Sequence, residues 1–260
     1  IMPSLVGSEM CIRDRLYPGH AAEDDYPLIE AAVNAAGGNA EGDSRVRLPV
    51  VITDIDSDDH TVDAMLSVGE EHRLISGARL ATEQQPDALM WACTSGSFLY
   101  GWKGAHEQAQ RLADATGLPA SSTSLAFAAA CAAIDVSRVA IAATYPEPVA
   151  SRFTDFLGDA GIEVVTLTSH DIETATKAGE LDGDGLSAML NRSDSPRAQA
   201  LLIPDTALHT AMWVADLERR AAKPVLTANQ VTAWMGLRLA GNTPATTELG
   251  TLFTVRPAAG

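Results

Sequence analysis

Basic residues are scarce in this chain. Lys and Arg total 18 against 34 Asp and Glu, a formal net charge of −16 over 260 residues. Binding nucleic acid takes a basic stripe that neutralises phosphates, and none is present. The overall field would also oppose a small anion, so donors local to a site, such as backbone N–H groups at a helix start, would have to hold it. Cysteine is sparse too. Cys11, Cys93 and Cys131 lack the spacing of a disulfide framework or a zinc site, which suits a reducing compartment such as the cytoplasm. No apolar run approaches the ~20 residues that span a bilayer, so a soluble globular protein without a membrane partner is expected.

Residues 1–15, "IMPSLVGSEMCIRDR", lack the periodicity of the rest, and their apolar core is too short for a signal peptide. "SEMCIRDR" resembles translated adapter sequence. The segment reads as a non-native leader, with Cys11 functionless and the true first strand partly missing before "LYPGH".

From Leu16 onward strand and helix patterns alternate. Strands are expected at 45–56, in "DALMWACT", at 137–145, in "IEVVTLTSH", in "QALLIPD" and in "KPVLT". Helices are expected at about 61–85, in "SFLYGWKGAHEQAQRLADATG" up to a Gly117 C-cap, and in the Ala-rich "SLAFAAACAAIDV". Others fall in "PVASRFTDFLGDAG", "DGDGLSAMLNRS", "ALHTAMWVADLERRA" and "NQVTAWMGLRLAG". Such alternation builds α/β architecture, with parallel sheets covered by helices on both faces.

Three phrases recur in the same order. "DALMWACT" pairs with "QALLIPDT", so that Ala88 matches Ala200 and Cys93 matches Asp205 at one offset. "LYPGH" pairs with "TYPEP", and "LPASSTSLAFAAACAAI" with "KPVLTANQVTAWMGLRL". Ordered repetition predicts two pseudosymmetric, Rossmann-like lobes. The expected bounds are 16–118 plus 228–260 for the first lobe and 119–227 for the second. In parallel sheets ligands sit beyond the carboxyl ends of strands. Cys93 and Asp205 each occupy such an end, so facing lobes would set them on opposite sides of one cleft.

"WACTSGSF", "AATYPEP", "LLIPDTALHTAMWVADLERRAAKPVLTANQVTAWMGLRLAG" and "ELGTLF" resemble the aspartate/glutamate racemase superfamily. The branch is that of maleate cis-trans isomerases, arylmalonate decarboxylases and ectoine-utilisation A proteins. The resemblance covers Leu16 to Phe253 and implies a two-lobed α/β fold. It also implies enzymes that need no cofactor and no metal and use cysteine chemistry on small carboxylates between the lobes. Cys93 aligns with the first-lobe cysteine, which attacks the double bond in maleate isomerases and moves a proton in racemases. Thr94, Ser95 and Gly96 align with a carboxylate or enediolate cradle that Tyr145 joins, and Thr206 adds donors behind the second catalytic position. That second position is usually cysteine and here is Asp205. Arylmalonate decarboxylases keep the second cysteine and a small residue at the first position, the reverse of this chain. The asparagine usual near the end of the first strand has no counterpart around Gly19–Ala22.

Each of these residues has a plainer reading as well. A strand-end thiol such as Cys93 packs as a small hydrophobe. To act it needs a thiolate, and the N–H dipoles of a helix starting near Ser97 would lower its pKa. Asp205 would cap the next helix or act as acid or base, and as a bare carboxylate it repels an anionic substrate. Thr94 and Ser95 serve capping and anion binding alike. Tyr145 packs on Pro146 or donates to a carboxylate. His209, four residues past Asp205, would orient that carboxylate; His20 reads as a surface residue and Cys131 as packing. Asn229 and Gln230 cap the last helix or line the cleft, and Glu23-Asp24-Asp25 reads as a solvated face. The expectation is a cofactor-independent isomerase of a small carboxylate or dicarboxylate, of the maleate type. Racemase, decarboxylase and silent carboxylate-binding protein are the alternatives, and a homo-oligomer is left open.

Overall fold

The computed structural model describes residues 15–19, 21–37 and 45–255. The leader and Cys11 fall outside these residues apart from Arg15, and His20 falls outside them too. The first sheet takes β1 (Arg15–Tyr17), β2 (Val50–Ile52), β3 (Leu89–Trp91) and β4 (Ala120–Ser122). Among them run α1 (Asp25–Ala36), α2 (Val62–Val68), α3 (Glu71–Thr82), α4 (Ser95–Phe98) and α5 (Gly101–Thr116). After α6 (Thr123–Ala133), the second sheet takes β5 (Arg138–Ala143), β6 (Glu163–Ser169), β7 (Ala200–Ile203) and β8 (Val225–Thr227). Its helices are α7 (Glu147–Asp159), α8 (Ala175–Gly179), α9 (Gly183–Ser193) and α10 (Val214–Ala221), and α11 (Ala228–Leu239) follows β8.

The strand orders are β2-β1-β3-β4 and β6-β5-β7-β8, the same path drawn twice, and every pairing is parallel. The expected pseudosymmetry is therefore present. β3 and β7 are fully buried apolar runs, as central strands covered on both faces must be. The reversal of strand order lies between β1 and β3 in one sheet and between β5 and β7 in the other. At such switch points loops diverge and leave a crevice.

The lobes are joined by one core. It includes Met90 and Phe98 from the first half, Ile141 and Phe153 from the second, and Trp234 of α11. α6 and α11, which follow the equivalent strands β4 and β8, meet through a Thr123–Thr232 hydroxyl pair at 2.6 Å. The small side chains of α6 allow this approach, with Ala126, Ala130 and Cys131 fully buried. The boundary expected at 119 differs from the sheet pairing, because β4 pairs with β3 and extends the first sheet. Arg15, expected in the leader, begins β1 and pairs with Val50 and Met90.

Three local expectations are corrected. The strand expected over 45–56 forms only at 50–52. Ahead of it the backbone is bound by α1 side chains, Asn34 to Val46 at 2.9 Å and Glu30 to Leu48 at 2.7 Å. The helix expected over 61–85 breaks at Gly69, where a β-carbon would collide with the carbonyl of Gly96. The helix expected from residue 207 starts only at Val214. The N–H groups of Thr210 and Ala211 donate instead to the Asp25 carboxylate, at 2.8 and 3.1 Å.

Candidate active site

Cys93 stands two residues past β3 and Asp205 two residues past β7, and both line a cavity of about 50 Å³ with Ser95, Thr206 and the two repeat tyrosines, Tyr17 and Tyr145. One water needs about 10–15 Å³ by the same measure, so the cavity suits a molecule of a few heavy atoms.

The Cys93 wall is set by a tight turn into α4. Gly96 N–H donates to Sγ at 3.3 Å, and the Ser95 hydroxyl lies 3.9 Å from the sulfur. The Gly96 carbonyl accepts from the Gln108 amide at 3.0 Å and from the Trp91 indole at 3.4 Å, and Gln108 also reaches the Gly69 carbonyl at 2.9 Å. These contacts fix the turn from the first-lobe core. The expectation that helix dipoles lower the thiol pKa is corrected. Burial pushes it from 9.0 up to about 11, the Gly96 and Ser95 groups offset only a part, and the nearby Asp205 adds to the rise. Thr94 is buried behind the cavity, and its Oγ1 has no hydrogen-bond partner among the described residues.

Asp205 is buried, and both its oxygens accept hydrogen bonds: Oδ2 from the Thr144 hydroxyl, and Oδ1 from the Ala207 N–H at 2.9 Å. It caps no helix, since α10 begins nine residues later, at Val214. Tyr145 donates its hydroxyl to the Pro204 carbonyl, and burial, Asp205 and Cys93 hold its pKa well above the ordinary value. Tyr17 donates to the Thr206 carbonyl at 2.8 Å and accepts from Ala22 N–H at 3.2 Å. Both tyrosines therefore grip the backbone on either side of Asp205.

The other candidates sit elsewhere. His209 does not orient Asp205; its ring meets the Asp24 carboxylate at 2.8 Å and the Gly179 carbonyl at 3.2 Å, because residues 206–213 turn rather than continue a helix. Asn229 supports the turn after Asp205, donating to Thr206 at 3.1 Å, Leu208 at 3.3 Å and Asp25 at 3.1 Å. Gln230 completes a capping box with Thr227. Asp25, expected in a solvated face, is 1% exposed. Cys131 is packing, with its pKa pushed by burial to about 12.

Sequence reasoning missed the loop after β2. Ser57, Asp58, Asp59 and His60 line the cavity mouth. The loop is tied to the second lobe: Ala175 N–H donates to the Asp58 carbonyl at 2.9 Å, and the Thr176 hydroxyl to its carboxylate at 2.6 Å. The His60 N–H reaches the Glu173 carbonyl at 2.7 Å. The run "SDDH" gave no periodic or motif signal, and the partners of Asp58 and His60 in the second lobe lie over a hundred residues away in sequence.

The sequence profile of the arylmalonate decarboxylase family matches residues 61–253. The chain belongs to the arylmalonate decarboxylase family. A curated member, arylmalonate decarboxylase of Bordetella bronchiseptica, is 27% identical over 243 residues, 93% of this chain and 89% of that one. Among solved structures, the maleate isomerase Iso of Pseudomonas putida superposes with a TM-score of 0.82 at 17% identity, covering 94% of this chain and 98% of that one. A cysteine-to-serine mutant of the Nocardia farcinica maleate cis-trans isomerase, holding a covalently bound succinylcysteine intermediate, superposes with a TM-score of 0.79 at 17% identity, covering 95% and 100%. Decarboxylase family and isomerase neighbours share this two-sheet fold, and the chain is an enzyme of their superfamily. No helix among the described residues is long and apolar enough to cross a membrane.

Proposed function

We propose that the protein is a cofactor-independent, cysteine-dependent isomerase of a small dicarboxylate, acting as a maleate-type cis-trans isomerase. The observation that carries this is the shared cavity of Cys93 and Asp205, one from each lobe, with Ser95 and Tyr145 beside the sulfur. The succinylcysteine held by the Nocardia isomerase supports thiol addition as chemistry that this fold accommodates.

Because the resting thiol is protonated, addition needs a base, and of the three aspartates lining the cavity Asp205 is the one whose charge acts on the Cys93 thiol. The Cys93 proton passes to Asp205, and the thiolate adds to one alkene carbon. The π electrons move onto the adjoining carboxylate, where the Ser95 hydroxyl stabilises the growing charge. The remaining C–C single bond rotates. The electron pair returns, the C–S bond breaks, and Asp205 gives the proton back to sulfur. Thr94 lies behind the lining, and its hydroxyl acts on this wall through Tyr145.

A second reading, proton transfer at an α-carbon as in racemisation or decarboxylation, is favoured by the same raised thiol pKa. A neutral thiol is a proton donor, and a facing carboxylate is an acceptor. Proton NMR of maleate, malonates and α-substituted carboxylates in heavy water separates the two. Maleate converted to fumarate without loss of carbon dioxide supports isomerisation. Deuterium entering an α-position without alkene turnover supports proton transfer. Under either reading Cys93→Ala removes turnover, and a fully active Cys93→Ala protein refutes both.

A further inference from the structure

His60 is 4% exposed, lines the cavity, and stands edge-on to the Tyr145 ring with centroids 5.1 Å apart at 73°. Its Nδ1 lies 2.7 Å from the Ile172 carbonyl. A carbonyl only accepts, so Nδ1 carries the proton in that bond. Nε2 is then the ring nitrogen not engaged by Ile172, on a side chain that lines the cavity. Among the described residues the cavity lining contains no Lys and no Arg, and three of its residues are Asp: Asp58, Asp59 and Asp205. Asp58 is already engaged by Thr176. Among the described residues, His60 is the cavity-lining side chain with a basic nitrogen.

We infer that His60 is the specificity-determining residue for the substrate's second carboxylate, which the ring binds through Nε2–H beside Tyr145 while Nδ1–H stays on Ile172. The inference rests on the dicarboxylate reading above. A dianion with one carboxylate near Ser95 must place the other against a wall carrying Asp58 and Asp59, in a cavity that Asp205 also lines. Without a cation there, repulsion excludes it. A histidine ring with a proton on each nitrogen presents a directed donor at Nε2 while Nδ1 keeps its bond to Ile172. The bond to Ile172 and the Tyr145 ring fix the orientation of the ring, so little rotamer freedom is lost on binding.

His60→Asn tests this, because an asparagine amide can replace Nδ1 toward Ile172 while removing Nε2. The probes are maleate for turnover, and succinate and butyrate for binding to the Cys93→Ser protein by calorimetry. For His60→Asn, KM for maleate should rise about tenfold or more, the loss of one charge-assisted hydrogen bond, with kcat within a few-fold and melting unchanged. Succinate affinity should fall by a similar factor while butyrate affinity stays the same. In the wild-type protein succinate should shift the His60 Nε2 resonance in nitrogen NMR. Equal losses for succinate and butyrate, a fall in kcat with KM unchanged, a silent Nε2 resonance, or no succinate binding at all would each overturn the assignment. Maleate turnover that ignores His60→Asn defeats this inference alone. His60-dependent succinate binding without turnover of maleate defeats the isomerase reading alone.

Discussion

A thiol with a pKa near 11 is almost wholly protonated at neutral pH, and burial is the main reason for Cys93. Its reactivity is therefore latent until a partner takes the proton. At pH 8 alkylation of Cys93 by iodoacetamide should run about two orders of magnitude slower than that of a free cysteine, whose pKa is near ~8.5, since only the thiolate reacts. The rate should climb with pH toward about 11. Peptide-resolved mass spectrometry keeps Cys93 apart from Cys131 and Cys11, and a reactivity midpoint at or below that of free cysteine would contradict the burial argument. At this scale the sequence was readable wherever a repeat or a phrase marked the position, as for Cys93, Asp205, Tyr145 and Ser95. It was silent on His60, whose partners Ile172 and Glu173 are far off in the chain. It misread Asp25, because three acidic residues in a row look solvated until the fold brings buried N–H donors to one of them.

At the scale of elements, the segment 206–213 decides how the second wall is presented. Its composition is helical, yet tertiary bonds from Asp25 and Asn229 take its polar groups first. Long-range competition of this kind leaves no trace in local periodicity, which is why the start of α10 was misplaced while α7 and α9 were found close to their true bounds. Asp25→Ala should lower unfolding free energy by about 3 kcal/mol, since two buried N–H groups and an amide lose their acceptor. Burial raises the Asp25 pKa, so part of that cost is returned by removing a desolvated carboxylate. Urea titration measures the change, and a loss of about 0.5 kcal/mol or less would show that water replaces Asp25 freely.

For the whole molecule, duplicated order was the most legible property, because a repeat survives even where single boundaries fail. The two sheets follow one path, and Cys93 and Asp205, at equivalent strand ends, line one cavity. The surplus of acidic residues acts at the same scale. A dianion approaching a protein of net charge −16 is repelled over the Debye length, which shrinks from ~30 Å at 0.01 M salt to ~10 Å at 0.1 M. KM for maleate should therefore fall several-fold over that range of sodium chloride, and a KM that is flat or rises would mean that local donors already cancel the field.

The bonds from Tyr17 to Thr206 and from Asp25 to Thr210 and Ala211 cross from one half to the other without touching sulfur or the Asp205 carboxylate. They behave as a gauge block between two jaws. The width available to a guest is machined in part by Asp25, which lies outside the lining, so trimming that block would reset the size of molecule admitted while sulfur and the Asp205 carboxylate stay in place.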